Sequence, residues 1–297
     1  MHNIDKYTVL SINPYASTYI NEQSKILSSQ NLATFSKNQY SISFLHIKNF
    51  ITGQISISNN IHQNDLNDVI FSKAYDELAL DQAIEYKIQY VETFHKVDKN
   101  NRNFHLFIIN PLSCKDIFEK YIKKIKYIDY IIPAPLLLKS LYTKAIIQSN
   151  GVHCFIYFDK YDTFITIYNN QEFIYTKSIN YSLEQMHIRF CELYTKYIEY
   201  EDFINFLTTQ SLKDTTSEYK IYILKLYKEI FTNISNILTY VKRVLDINKL
   251  DNIYVGSGIN ITTKLHEIAE VELKIKSSDF NFNYGFKNSD VYVEQLH

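Results

Sequence analysis

The stretch CFIYFDKYDTFITIYNNQEFIYTKSI, residues 154–179, decides the reading of the fold. With His153 it holds three runs rich in β-branched and aromatic residues, HCFIYF (153–158), TFITIY (163–168) and EFIYTKSI (172–179). Only Asp159–Asp162 and Asn169–Gln171 separate them, and turn formers this short between strand formers predict an antiparallel meander. Beyond it the period changes. A helix is expected from about Ser182 to Tyr200, a second over EDFINFLTT, and a long one from Ser217 to Asp246 with Ile223, Tyr227, Ile230, Ile234, Ile237, Val241 and Val244 on one stripe. NIYVGSG (252–258) then reads as a buried strand entering a tight Gly-Ser-Gly loop, followed by a helix at about 261–269 and a strand, VELKI (271–275).

Upstream, a comparable order begins at residue 7. YTVLSI (7–12) stops at Asn13-Pro14, and LATFS (32–36) and YSISFLHI (40–47) read as two more strands. The polar stretch with Gly53 and Asn59-Asn60 reads as a loop or a weak extra hairpin. Leu66, Val69, Ile70, Ala74 and Leu78 recur at helical spacing. Ile84, Tyr86, Ile88 and Tyr90 then alternate with polar residues, the pattern of a half-buried strand, and FHLFII (104–109) is a second strand after a charged loop. A helix follows Pro111 with Ser113 as N-cap candidate, then a short strand YIDYIIP (127–133) and a helix from Pro135 to about Ile147. Helix, strand, strand, helix over about 65–126 is thus a small α+β unit inserted into a larger one. Three strands followed by helices, occurring twice, predicts two related halves, residues 1–148 and 149–297, each a sheet with helices against it, and a cleft between them as default binding site. The tail from Asn281 is weakly patterned.

Composition narrows the function classes. The 297 residues are 46% hydrophobic and 21% charged, which excludes a disordered or collagen-like chain. Only 5 glycines occur, and neither the P-loop nor the dinucleotide fingerprint is present. A net charge of -1 supplies no bulk field toward nucleic acid or an anionic bilayer. Three dispersed cysteines argue against a disulfide framework and for a reducing compartment. No stretch resembles a signal peptide or reaches about 18 uncharged apolar residues, so a soluble chain is expected.

Several residues carry chemistry on paper. Asp159 and Asp162 suit a cation or an acid–base pair, although turn formers bonding their own backbone look the same. His187 and Cys191 lie four apart on a helix and His153 adjoins Cys154, but no third ligand follows at metal spacing, so packing is the ordinary reading. Ser257 lacks a nucleophile elbow. Lys115, Lys120, Lys123, Lys124 and Lys126, with Tyr121 and Tyr127, offer a nucleic-acid or lipid surface or simply a solvated face. The alternating strand 84–90 is either internal or an edge that offers backbone groups to a peptide.

Four stretches carry a family resemblance: DELALD (76–81), IDYIIPAPLLLKSLY (128–142), the meander 154–179, and YVGSGINITTKLHEIAE (254–270). In this order they resemble the actin-like ATPase superfamily, in particular its pilus and secretion branch of PilM-type proteins and GspL cytoplasmic domains. The implied fold class is α/β, an actin-like (ribonuclease H-like) two-lobed fold with an inserted small α+β subdomain. In nucleotide-binding relatives an Asp and a Gly in each strand turn hold phosphate and magnesium. Here the equivalents look like Ser11 and Asn13 in the first turn and Tyr157 and Asp159 in the second. Losing the Asp removes a hard oxygen ligand. Gly256, Ser257 and Gly258 keep the form of the adenosine-side loop, so ATP is the one cofactor the resemblance leaves open, with Asp159 beside it; a strand-to-helix turn is the ordinary reading of the same three residues. The resemblance implies a non-catalytic cytoplasmic adaptor, peripheral to the inner membrane, in a type IV pilus, type II secretion or DNA-uptake machine. Its partner would be a PilN-type, or GspL/GspM-type, inner-membrane protein whose cytoplasmic peptide docks in a groove near the inserted subdomain, without direct nucleic-acid contact and with oligomerisation open. The alternatives are an ATPase or phosphotransferase of the same superfamily, and a nucleic-acid module acting through the Lys115–Lys126 helix.

Overall fold

The computed structural model describes residues 8–16, 18–20, 26–28, 30, 39–94, 100–210, 212, 216–262 and 264–280. The chain divides into two units, Met1–Lys144 with Val291–His297, and Ala145–Asp290.

In the first unit, β1 (Thr8–Asn13) runs into a turn at Asn13-Pro14 and is followed by β2 (Thr18–Ile20), β3 (Ile26–Ser28) and β4 (Gln39–Leu45). β1 pairs antiparallel with β2, β2 antiparallel with β3, and β1 parallel with β4. The LATFS expectation lies outside the described residues. A parallel neighbour for β4 needs a crossover, and here the crossover contains a second sheet. After a 3-10 turn at Ile47–Asn49 come β5 (Ile51–Ser58), α1 (Leu66–Glu77), β6 (Lys87–Thr93) and β7 (Asn101–Ile109). α2 (Pro111–Ile125) returns the chain to β8 (Tyr130–Pro133), which pairs parallel with β4, and α3 (Ala134–Leu137) and α4 (Lys139–Thr143) close the unit. The main sheet has the order β3-β2-β1-β4-β8 and the inserted sheet β5-β7-β6.

Three expectations change here. Residues 51–58 are a strand paired along its length with β7, so the inserted sheet starts at Ile51 and not at residue 65. The polar reading arose because only Ile55 and Ile57 of this edge strand enter the core under α1. α2 belongs to the main sheet: Phe118, Tyr121 and Ile125 pack with Leu10, Ile12 and Leu45, and the Tyr121 hydroxyl donates to the Asn13 carbonyl at 2.9 Å. Its N-cap is Asn110, whose Oδ1 accepts the Leu112 N–H at 2.9 Å, and not Ser113. Pro111 has the φ of a first helical residue and no N–H to satisfy, so the cap must precede it. The expected helix to Ile147 is two short pieces ending at Thr143.

β7 is central in its sheet and apolar on both faces. Phe104, Leu106 and Ile108 meet Ile70 and Ala74 of α1, while His105 and Phe107 point the other way and are also buried. This explains why FHLFII reads as a continuous run and not as alternation.

The second unit carries the meander. β9 (Val152–Phe158), β10 (Thr163–Asn169) and β11 (Glu172–Ser178) pair antiparallel in sequence. Then follow α5 (Leu183–Tyr194), α6 (Tyr200–Thr209), α7 (Tyr219–Val244), β12 (Asn252–Ser257), α8 (Leu265–Leu273) and β13 (Ser277–Asp279). β12 lies parallel to β9 and β13 parallel to β12, giving the order β11-β10-β9-β12-β13. Order and strand sense repeat those of the first sheet. Ile156, Phe158, Ile165 and Ile167 face the buried stripe of α7, with Ile223, Ile230 and Ile234. The opposite face is aromatic, with Phe155 stacked on Tyr254 at 5.1 Å and edge-on to Phe280 at 5.8 Å. Ser182 and Gln185 form a capping box that starts α5, and Thr195 in the left-handed region ends it, so the single helix expected over 182–200 is broken. The VELKI strand is not formed: Val271–Leu273 complete α8, and the strand is the polar Ser277–Asp279, which periodicity could not mark.

Burial also fixes an acid response. Burial pulls the imidazole of His46 down to about 3, with Lys48 assisting, and that of His105 down to about 4. The folded pKa lies below the unfolded one in both, so the folded state refuses protons that the unfolded chain takes. Stability is intact above about pH 6.5 and falls as pH drops through the window toward 4 and 3. The urea midpoint is expected to decline between pH 7 and pH 5, and His105→Phe to remove part of that slope; a flat midpoint over this range contradicts the assignment.

Candidate functional site

The feature most suited to recognition lies in the first unit, where the inserted sheet meets the main one. The face of β7 turned away from α1 places Phe107 and Ile109 opposite Leu45 of β4, Ile131 of β8 and Cys114 of α2, with Phe50 closing one end. These residues enclose an apolar cavity of about 210 Å³. Phe50 meets Phe107 edge-on at 5.8 Å. A second, wider depression of about 410 Å³ shares Lys87 and Pro111 with the first and is bounded by Ile84, Glu85, Asn110 and Leu112. Together they form a groove along β6.

The polar groups are on the rim. Among the described residues β6 pairs with β7 alone, so its outer side is a strand edge; the strand runs over Lys87–Thr93, so of the expected 84–90 only 87–90 are strand. Lys87 holds Glu85 at 2.7 Å on the surface, and the Gln89 amide donates to the Ile131 carbonyl of β8 at 3.3 Å. Cys114 is half-buried, and that burial raises its thiol pKa, so it is an apolar wall group and not a thiolate. Leu112 is 70% exposed and lines the depression. The 210 Å³ cavity is below the roughly 300–1,000 Å³ of small-molecule sites and has the size of a side-chain anchor, while the 410 Å³ depression beside it is within that range.

The residues singled out for nucleotide lie elsewhere and are engaged locally. Gly256 is inside β12, and a Cβ there would stand 2.6 Å from the Phe280 ring, so its missing side chain is the seat of Phe280. Ser257 ends the strand, and its Oγ accepts the Ile259 N–H at 3.3 Å. The Gly258 N–H donates to the Phe158 carbonyl at 2.8 Å. Asp159 closes the β9–β10 turn: its N–H donates to the Asp162 carbonyl and its own carbonyl accepts the Leu183 N–H at the start of α5. Asp162 Oδ1 accepts the Ser178 hydroxyl at 2.7 Å. Tyr157, where the resemblance expects a carboxylate, is buried against Phe164 and Phe280. In the first turn Asn13 Oδ1 accepts the N–H groups of Tyr15 and Ala16 at 3.0 and 3.1 Å.

The remaining candidates are structural in their contacts. His187 Nε2 lies 2.8 Å from the Ile198 carbonyl and 3.5 Å from Cys191 Sγ, and among the described residues no cluster of three or more His, Cys, Asp or Glu is arranged to hold a metal. On α2, Lys123 pairs with Glu119 at 2.7 Å and Lys124 donates to the Gln30 carbonyl at 2.8 Å. Sequence reasoning did not find Phe50, Phe107, Gln89 or Cys114 as neighbours; the alternation at 84–90 was the one local signal.

No protein-family model and no curated protein matches the sequence. Solved structures do. A chain of the PilM–PilN type IV pilus biogenesis complex superposes with a TM-score of 0.64 at 9% identity, over 93% of this chain and 88% of that one. The fold is actin-like. Weaker likenesses include the cytoplasmic domain of EpsL, an inner membrane component of the type II secretion system of Vibrio cholerae, with a TM-score of 0.43 and 6% identity over 93% and 90%. A Bacteroides thetaiotaomicron protein with an actin-like ATPase fold and unknown function gives 0.42 and 12% over 95% and 94%.

The packing role of Gly256 is directly testable. Gly256→Ala is expected to lower stability by about 1–3 kcal/mol through displacement of Phe280, read from the urea midpoint. An unchanged midpoint contradicts the role.

Proposed function

We propose that the chain is a non-catalytic adaptor that docks the cytoplasmic peptide of a PilN-type single-pass membrane protein in the groove along β6. It would then work on the cytoplasmic side of the inner membrane in a pilus, secretion or DNA-uptake platform, recruited through its partner. The observation that carries the proposal is the strand edge of β6 beside an apolar cavity: backbone groups for affinity and a hole for an anchoring side chain, the two requirements of strand addition. The likeness in fold to a chain of the PilM–PilN complex supports it. Among the described residues no helix is long and apolar enough to cross a membrane, so a membrane partner would supply the attachment.

The competing ATPase or phosphotransferase reading draws on the fold alone. Two of the residues at the two turns count against a magnesium–phosphate centre. Asn13 is neutral and spends its oxygen on the turn amides that a phosphate would use, and Tyr157 offers a buried phenol where a hard carboxylate oxygen is required. Mg-ATP turnover that is lost in Asp159→Ala would favour the enzyme over the adaptor.

Capture of a fluorescein-labelled cytoplasmic N-terminal peptide of a PilN-type single-pass membrane protein tests the proposal. Leu112→Asp and Lys87→Glu alter the exposed rim and leave the core intact, so the fold is expected to persist while affinity falls about tenfold in Leu112→Asp. Equal capture by wild type and both variants contradicts docking in this groove.

A further inference from the structure

The groove has a wall whose position is set from outside it. Phe50 enters the cavity directly after the 3-10 turn Ile47–Asn49, the segment that leads from β4 into the inserted sheet. The turn itself is weakly determined: three residues, closed by the Asn49 N–H on the His46 carbonyl and the Phe50 N–H on the Ile47 carbonyl, both at 3.0 Å. One side chain adds a further restraint. Tyr15, in the β1–β2 turn, donates its hydroxyl to Asn49 Oδ1 at 2.6 Å and accepts the His46 N–H on the same oxygen at 2.8 Å. Its ring stacks on the His46 imidazole, centroids 3.8 Å apart and planes 11° apart. One phenol thus grips both ends of the turn that carries Phe50.

Tyr15 is itself held. Asn13 is fully buried, and its Oδ1 takes the N–H groups of Tyr15 and Ala16, which fixes the backbone from which the ring projects. The Asn13 carbonyl in turn accepts the Tyr121 hydroxyl of α2, the helix that carries Cys114 on the opposite wall. Both walls of the cavity are therefore referred to the same point at the end of β1.

We infer that Tyr15 is the positioning residue of the groove: it touches no docked peptide, and its hydroxyl clamps the His46–Asn49 turn so that Phe50 closes the cavity at the spacing the anchor needs. The β1–β2 turn, which the resemblance assigns to phosphate in nucleotide-binding relatives, here acts as the fixed reference of a protein-docking surface. This rests on the docking proposal for its consequence and on geometry alone for the clamp.

The test uses Tyr15→Phe, which keeps the ring stack and deletes only the hydroxyl, and two readouts on the full chain. The first needs no partner: the rate at which a maleimide labels Cys114, separated from Cys191 by peptide mapping. Release of Phe50 is expected to raise that rate about tenfold, with the thermal midpoint of unfolding retained closely enough for a cooperative transition. The second is affinity for the labelled peptide named above, expected to fall about tenfold. Asn49→Asp keeps an acceptor for the phenol and is expected to retain both values, a rescue that a general loss of packing does not predict. If Tyr15→Phe does not fold, Asn49→Ala takes its place. An unchanged Cys114 rate overturns the clamp, and a changed rate with unchanged affinity overturns the role of Tyr15 in positioning the groove for its peptide. A changed rate in a protein that binds no peptide leaves the clamp standing and removes the docking proposal.

Discussion

The double burial of β7 is the constraint on which the rest of the first unit depends. A central strand apolar on both faces must be covered twice, and the two covers are different in kind. α1 packs on Phe104, Leu106 and Ile108 in the ordinary way of a helix on a sheet. The other face, with His105 and Phe107, turns toward the edge of the main sheet and the start of α2, and the fit there leaves the cavity walled by Phe107, Ile109 and Ile131. The groove is thus a consequence of inserting one sheet into the crossover of another. Because β7 occupies the centre, β6 lies at the rim and, among the described residues, pairs on one side alone.

The same crossover explains the contrast between the two units. Both sheets run three antiparallel strands and then two parallel ones in the same order. In the second unit the elements described between β11 and β12 are the helices α5, α6 and α7, the last with a long buried stripe. In the first unit the connection from β4 to β8 carries the extra sheet, and the apolar cavity lies where that sheet meets the main one. In the β1–β2 turn Asn13 Oδ1 accepts backbone N–H groups, and in the β9–β10 turn the Asp159 backbone bonds Asp162 and the start of α5.

The legible part of the fold was the part with strong periodicity. The meander, α7 and the alternating strand stood out because their apolar residues recur at a single period over six or more positions. β2 and β3, three residues each, and β5, with Gly53, Gln54, Ser56 and Ser58 among two core isoleucines, have too little pattern to register. β13 is Ser-Ser-Asp and is specified by its neighbours: the Ser277 N–H donates to Glu270, and the strand pairs with β12. Gly256 was read as a loop glycine because the sequence cannot display Phe280 lying over it. The groove was visible only as an edge-strand alternative at 84–90, since Phe50, Phe107, Cys114 and Ile131 come together from segments up to about eighty residues apart.

Hydrogen exchange along β6 tests the central claim most directly. Strand addition occupies the outer backbone edge of Lys87–Thr93, so amide exchange there should slow when the labelled membrane-protein peptide is added at saturation, while amides of β12 and the Asp159 turn keep their free rates. Protection that appears around Asp159 and Gly256–Gly258, with β6 unchanged, would contradict the account.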